Sequence, residues 1–172
     1  MRRLLLATAL VAAGVTACTS GHAAAPPGTA RTIPVVGCRN VIGRSTDPFT
    51  RGYRRVLGVV AAPAAYTPQV VRNSAGRWPW WEKAAMLVHA GDTAVTISVP
   101  ATWRRRAAIT WGNGLPAVSA LRIAGCPSPA GRWNAYAGGF LMATRGACIP
   151  LTFTVGARRA TVRFGIHRRC PA

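Results

Sequence analysis

The end of the chain alternates with a period of two. Ile149, Leu151, Phe153 and Val155 are separated by Pro150, Thr152 and Thr154, and Ala160, Val162, Phe164 and Ile166 by Thr161, Arg163 and Gly165. Successive side chains of a strand point to opposite faces, so this pattern buries one face and wets the other. The segment 156–159, which opens with Gly156, supplies the turn between the two runs, and together they predict a hairpin. A hairpin is marginal on its own in water. It needs further strands and a facing layer to cover its apolar side.

Those strands are available. Val95, Ile97 and Val99 alternate with Thr96 and Ser98, and segments 33–37, 56–62, 107–111, 118–124 and 133–142 are further candidates. Gly91-Asp92 lies between segments 83–90 and 93–99 and suits a tight hairpin with glycine at its first central position. Gly138-Gly139 is a second hairpin signal. No long stretch carries a helical stripe, although Asp47-Pro48 suits the start of one short helical turn and segment 63–70 another. Roughly eight to ten short strands joined by Gly/Pro-rich turns predict an all-β fold, a single disulfide-stapled β-sandwich of immunoglobulin-like general architecture, with a barrel as the alternative.

The chain opens on Met1-Arg2-Arg3 and an apolar run over 4–15, too short for a membrane-spanning helix and of the form of a secretory signal. Val15-Thr16-Ala17-Cys18 resembles the bacterial lipobox, which implies that Cys18 is lipidated through sulfur and begins the mature chain. The alternative is an ordinary signal peptide cut near Ala17 or Ala25. With the lipobox reading the organisation is a signal peptide over 1–17, a lipidated cysteine and flexible tether over 18–32, and the sandwich over 33–172. The expected location is extracytoplasmic, anchored by lipid to the cell membrane.

Cys18 also settles the parity of five cysteines. Cys38, Cys126, Cys148 and Cys170 remain, an even set that in an oxidising compartment forms two disulfides with three possible connectivities. Zinc is the competing reading. The four lie at least 22 residues apart, without C-x-x-C spacing, so neither a metal nor another cofactor is expected. A hairpin centred on Ala137 places Cys126 opposite Cys148 and leaves Cys38 for Cys170. The competing frame joins Cys148 to Cys170 across the final hairpin.

The strands and cysteines together carry a resemblance. Cys38, Gly52-Tyr53, Val56-Leu57-Gly58-Val59-Val60, Val99-Pro100, Trp111-Gly112-Asn113, Trp133, Tyr136-Ala137-Gly138-Gly139-Phe140, Ala147-Cys148-Ile149-Pro150-Leu151 and Val162-Arg163-Phe164-Gly165 to Cys170 resemble small secreted proteins of high-GC actinobacteria. The resemblance implies an exported location and the cysteine frame, and it brings no functional residues.

Charge limits the partners. The chain holds 22 basic and 3 acidic residues for a net +19, and removal of the leader with Arg2 and Arg3 leaves +17. All the basic residues except Lys83 are arginine, which reflects GC-rich coding bias as well as chemistry. An exported, lipid-anchored chain meets anionic headgroups and acidic wall polymers, and nucleic acid is not expected as a partner.

No catalytic constellation stands out. His22, His89 and His167 are the available bases; Asp47, Glu82 and Asp92 are far apart; no nucleophile elbow, phosphate-binding glycine loop or His-Glu-x-x-His occurs. The candidate surface contacts are Arg104, Arg105 and Arg106 after Trp103, and Trp78, Trp80 and Trp81 flanked by Arg72, Arg77 and Lys83. The competing readings are a solvated arginine loop and tryptophans that cap the open end of the sandwich. The expected function is a non-enzymatic binding module anchored to the membrane, contacting anionic lipid, wall polymer or an envelope protein. An enzyme of unrecognised type and a passive structural lipoprotein are the alternatives.

Overall fold

In the computed structural model, which describes residues 32–64, 66–74, 76–128 and 132–171, the alternating end of the chain forms the longest hairpin. The leader, Cys18 and most of the tether lie outside the described residues. The strands are β1 (Val35–Val36), β2 (Val41–Ser45), β3 (Arg54–Val56), β4 (Val60–Ala62), β5 (Tyr66–Thr67), β6 (Val71–Arg72), β7 (Trp80–Lys83), β8 (Met86–His89), β9 (Val95–Ser98), β10 (Ala107–Trp111), β11 (Ala120–Ile123), β12 (Trp133–Tyr136), β13 (Gly138–Met142), β14 (Ala147–Val155) and β15 (Arg158–Ile166). β14 and β15 pair from Val155↔Arg158 to Ala147↔Ile166 around Gly156-Ala157, with Gly156 at φ +56° where a side chain would be strained. Ile149, Leu151, Phe153 and Val155 are buried, as the alternation requires.

The fold is an all-β sandwich. One layer is six-stranded in the order β1-β11-β9-β14-β15-β5, antiparallel except at its two edges, where β1 runs parallel to β11 and β5 to β15. The other layer consists of a four-stranded sheet, β10-β13-β7-β6, and a five-stranded sheet, β2-β12-β8-β4-β3. β7 with β8, and β12 with β13, are consecutive in the chain, and the Ala84 N–H bonds the Gly138 carbonyl at the break between them, so these two sheets continue one another.

The core fills the space between layers. Ile97, Leu121, Ile149, Phe153 and Phe164 come from the six-stranded side, and Met86, Ile109, Trp111, Tyr136, Phe140 and Met142 from the other. Phe140 meets Phe164 across the gap with ring centroids 5.3 Å apart, and Trp111 meets Phe140 edge-on at 5.4 Å. Each large apolar side chain so buried contributes about 1.5–3 kcal/mol.

Two hairpin expectations are corrected. β8 and β9 lie in opposite layers, so Gly91-Asp92 is a crossover and not a hairpin turn. Its Gly91 N–H donates to the Cys126 carbonyl at 3.0 Å, and a Cβ on Gly125 would collide with the Asp92 backbone. Gly138-Gly139 lies inside β13, where the missing side chains admit close approach of β10 and β7: a Cβ at Gly138 would strike the Thr110 carbonyl, and one at Gly139 the Glu82 carbonyl. The described residues of segment 63–70 contribute β5 and no helical turn. The turn at Asp47-Pro48 does form: Phe49–Arg51 is a 3-10 turn, and the Phe49 N–H donates to Asp47 Oδ1 at 2.9 Å.

The disulfide pairing is corrected as well. Cys38 joins Cys126 and Cys148 joins Cys170. The first bond follows from the parallel register of Val36↔Ile123, which carries Cys38 and Cys126 out at the same end of β1 and β11. The second follows from a reversal just beyond β15, where His167 takes φ +50° and brings Cys170 to a Cα separation of 5.1 Å from Cys148. Two disulfides fit an oxidising extracytoplasmic compartment, and no helix among the described residues is long and apolar enough to cross a membrane.

Candidate functional site

The sharpest concentration of chemistry lies where the chain passes from β9 to β10, that is, from one layer to the other. Pro100 ends the first strand and Ala101–Trp103 forms a 3-10 turn, in which the Trp103 N–H bonds the Pro100 carbonyl and the Arg106 N–H bonds the Trp103 carbonyl, each at 2.8 Å. Trp103 is half-buried against the core, which fixes its ring. The Arg106 guanidinium stacks 4.3 Å above that ring. A guanidinium held on an aromatic face keeps its in-plane N–H fork available for a carboxylate or phosphate.

Trp103 and Arg106 form one wall of a groove of about 460 Å³. Its floor is the wet face of the final hairpin, where Pro150 and Arg163 are register partners and Thr161 lies beside them. Cys148, on the same strand face as Pro150, also lines it, as do Arg168 and Pro171 on either side of Cys170. Arg163 is anchored from behind: its carbonyl accepts a bond from the Arg54 guanidinium at 2.7 Å, and Arg54 in turn stacks 4.4 Å from the Phe164 ring. Burial disfavours the charged form of Arg54 and lowers its pKa. Three arginines therefore line one concave surface, and Asp47, Glu82 and Asp92 all lie outside its lining. The arrangement suits an anionic group, and polar contacts to arginine forks give such recognition its geometry.

Of the arginine triplet, Arg106 lines the groove while Arg104 and Arg105 are exposed on the turn beside it. Arg163 and Arg168 are members that the sequence reading missed. Arg163 carried a signal, since it occupies an outward position of the alternating β15 run.

The tryptophans do not form one platform. Trp80 packs against the rim of the core with Arg72 and Arg145 at 5.1 and 5.7 Å from its ring. Trp81 alternates to the other face of β7 and lines a separate cleft of about 330 Å³ with Lys83, Leu115 and Gly138. Trp78, before the strand, lies under Arg77 at 4.8 Å. Capping of the sandwich thus describes Trp80, whereas Trp78 and Trp81 face elsewhere.

The histidines and carboxylates distribute over different elements. His89 and Asp47 share a cleft of about 550 Å³ with Phe49, Arg55, Arg132 and Trp133, but Asp47 is engaged in capping the Phe49–Arg51 turn and His89 lies edge-on to Trp133 at 5.1 Å. His167 bonds the Pro68 carbonyl at 3.0 Å through Nδ1. Glu82 is buried on β7, where desolvation raises its pKa and the Thr67 hydroxyl moderates the rise. Among the described residues no cluster of three or more His, Cys, Asp and Glu side chains could hold a metal ion. No family model, no curated protein and no solved structure matches this chain.

Proposed function

We propose that the chain is a lipid-anchored extracytoplasmic binding module, non-enzymatic, that recognises anionic groups of an envelope partner through the groove bounded by Trp103, Arg106, Arg163 and Arg168. The observation that carries this reading is that three arginines from three parts of the chain line one concave surface whose lining includes none of the three Asp and Glu side chains. Dispersed charge that served only solubility would have no reason to converge on one recess. Lipobox-like Val15-Thr16-Ala17-Cys18 supports the anchor and the two disulfides support export.

The test is a titration with pyrophosphate, followed by tryptophan fluorescence at low salt. Replacement of Arg106, Arg163 and Arg168 together by Ala is expected to weaken binding at least tenfold, since a charged hydrogen bond contributes about 1.5–3 kcal/mol. Replacement of Arg104 and Arg105 is expected to change it little. Equal loss from both sets would reduce the groove to one part of a diffuse positive surface, and no loss from the first set would dismiss it.

A further inference from the structure

We infer that the anionic partner is a linear polyanion, a chain bearing phosphate or carboxylate groups at repeated intervals, held along a track that starts in the groove and crosses the rim of the sandwich to Trp80. The inference rests on the anion-binding reading of the groove and adds the class of ligand.

The track is built from contacts that join one arginine support to the next. The turn over 143–146, between β13 and β14, is tied to the Arg106 turn because the Ala143 N–H donates to the Arg106 carbonyl at 3.0 Å. Gly146 at the end of that turn lines the groove, while Arg145, its neighbour, reaches the other way and sits over the Trp80 ring. Arg72 approaches the same ring as the register partner of Trp80 across β6 and β7. Cationic positions thus run from Arg163 through Arg106 and Arg145 to Arg72, over two aromatic supports, Trp103 and Trp80. Arg72, Arg106 and Arg145 are exposed, and a cation over an aromatic face keeps N–H donors free for an anion. Glu82, the carboxylate nearest in sequence to Trp80, is 5 % exposed and turned into the protein, so it does not compete for the track.

A small anion occupies the groove and leaves Arg145 and Arg72 unused. A chain of anions engages all of them, and every site after the first is filled at the high effective concentration that linkage provides. The shape also favours a chain over a bilayer. Trp103, Arg106, Arg163 and Arg168 line a concave surface, and a flat layer of headgroups would touch only the rim of such a surface.

The experiment measures binding of the full chain carrying Cys18→Ala, without detergent, so that no acyl anchor inserts into the vesicles, to pyrophosphate, to inorganic polyphosphate of graded length, to polygalacturonate as a carboxylate polymer, and to phosphatidylglycerol vesicles. Affinity per phosphate is expected to rise with length by about tenfold or more before it levels off. Arg72→Ala with Arg145→Ala should remove that rise, leave pyrophosphate binding unchanged, and lower the steepness of the salt dependence by about 1.4 for two lost contacts. Arg106→Ala with Arg163→Ala should weaken short and long ligands alike. Comparison of polyphosphate with polygalacturonate assigns the phosphate or the carboxylate source. Length-independent affinity, or long-chain binding indifferent to Arg72 and Arg145, overturns the track while leaving the groove as a site for single anions. Pyrophosphate binding unaffected at Arg106 and Arg163 removes the groove itself. Tighter binding to vesicles than to either polymer at equal anionic charge makes the membrane the partner and overturns the inference.

Discussion

Trp111 is fully buried, and its indole N–H donates to the Ala84 carbonyl at 2.7 Å. That bond helps hold the bend where β7 gives way to β8. Trp111→Phe removes the donor and leaves a void, and is expected to cost about 2–4 kcal/mol in urea denaturation. Tyr136 is the opposite case: equally buried, with a hydroxyl that has no hydrogen-bond partner among the described residues. Since an unsatisfied buried polar group costs about 1–3 kcal/mol, Tyr136→Phe should raise stability by about 1 kcal/mol, and a loss in the same denaturation assay would mean that the hydroxyl is satisfied in solution. Glu82 adds a pH dependence. Its folded pKa is raised by burial, so the folded state binds the proton more tightly than the unfolded chain. Stability is therefore highest below the ordinary carboxylate pKa and falls as pH rises from there through the raised folded value. Glu82→Gln should abolish that fall, with its largest gain in melting temperature above the window and little difference below it. The burial of Glu82 was not legible beforehand. Trp80-Trp81-Glu82-Lys83 shows no apolar alternation, and a glutamate beside lysine reads as solvated until β13 and β6 close over the strand.

The elements divide into those with local signals and those set by distant partners. β14 and β15 were readable because alternation and a glycine turn act within one short segment, and β10 appears at the expected 107–111. The Gly91-Asp92 crossover and the interior glycines of β13 were misread because turn glycine and close-approach glycine look alike in sequence. Cysteine pairing failed for a related reason: it depends on the parallel pairing of β1 and β11, segments far apart in the chain that no local pattern connects. The two disulfides nevertheless have separable roles. Chain entropy gives about 4.5 kcal/mol for the 88-residue separation of Cys38 and Cys126, and about 3.5 kcal/mol for the 22 residues between Cys148 and Cys170. Only the second pins part of the groove lining. Replacing Cys148 and Cys170 by Ser should therefore both lower stability and weaken pyrophosphate binding under conditions where the chain remains folded. Replacing Cys38 and Cys126 should lower stability by more and leave the binding of the folded fraction unchanged. Identical effects on binding would separate Arg168 and Pro171 from ligand recognition.

At the scale of the whole molecule, the charge was legible from composition, but its convergence was not, because Arg106, Arg163 and Arg168 belong to a crossover turn, a strand and the segment beyond it. The sandwich is what gathers them. The same charge bears on the proposed membrane attachment, in which lipid and arginines would act with different physics. A buried methylene contributes about 0.8 kcal/mol regardless of salt, so the two or three acyl chains of a lipoprotein hold firmly where one holds marginally. An arginine near an anionic surface contributes about 1 kcal/mol, and that attraction fades within a Debye length of about 8–10 Å at ordinary ionic strength. Under the proposed anchoring, the wild-type chain is expected to remain in the membrane fraction through a high-salt wash and to leave it only with detergent. Cys18→Ala removes the proposed acylated sulfur and should yield a chain that associates with membranes at low salt and is released at high salt. Release of the wild-type chain by salt alone would mean that Cys18 carries no anchor, and retention of Cys18→Ala through the wash would place the attachment elsewhere in the chain.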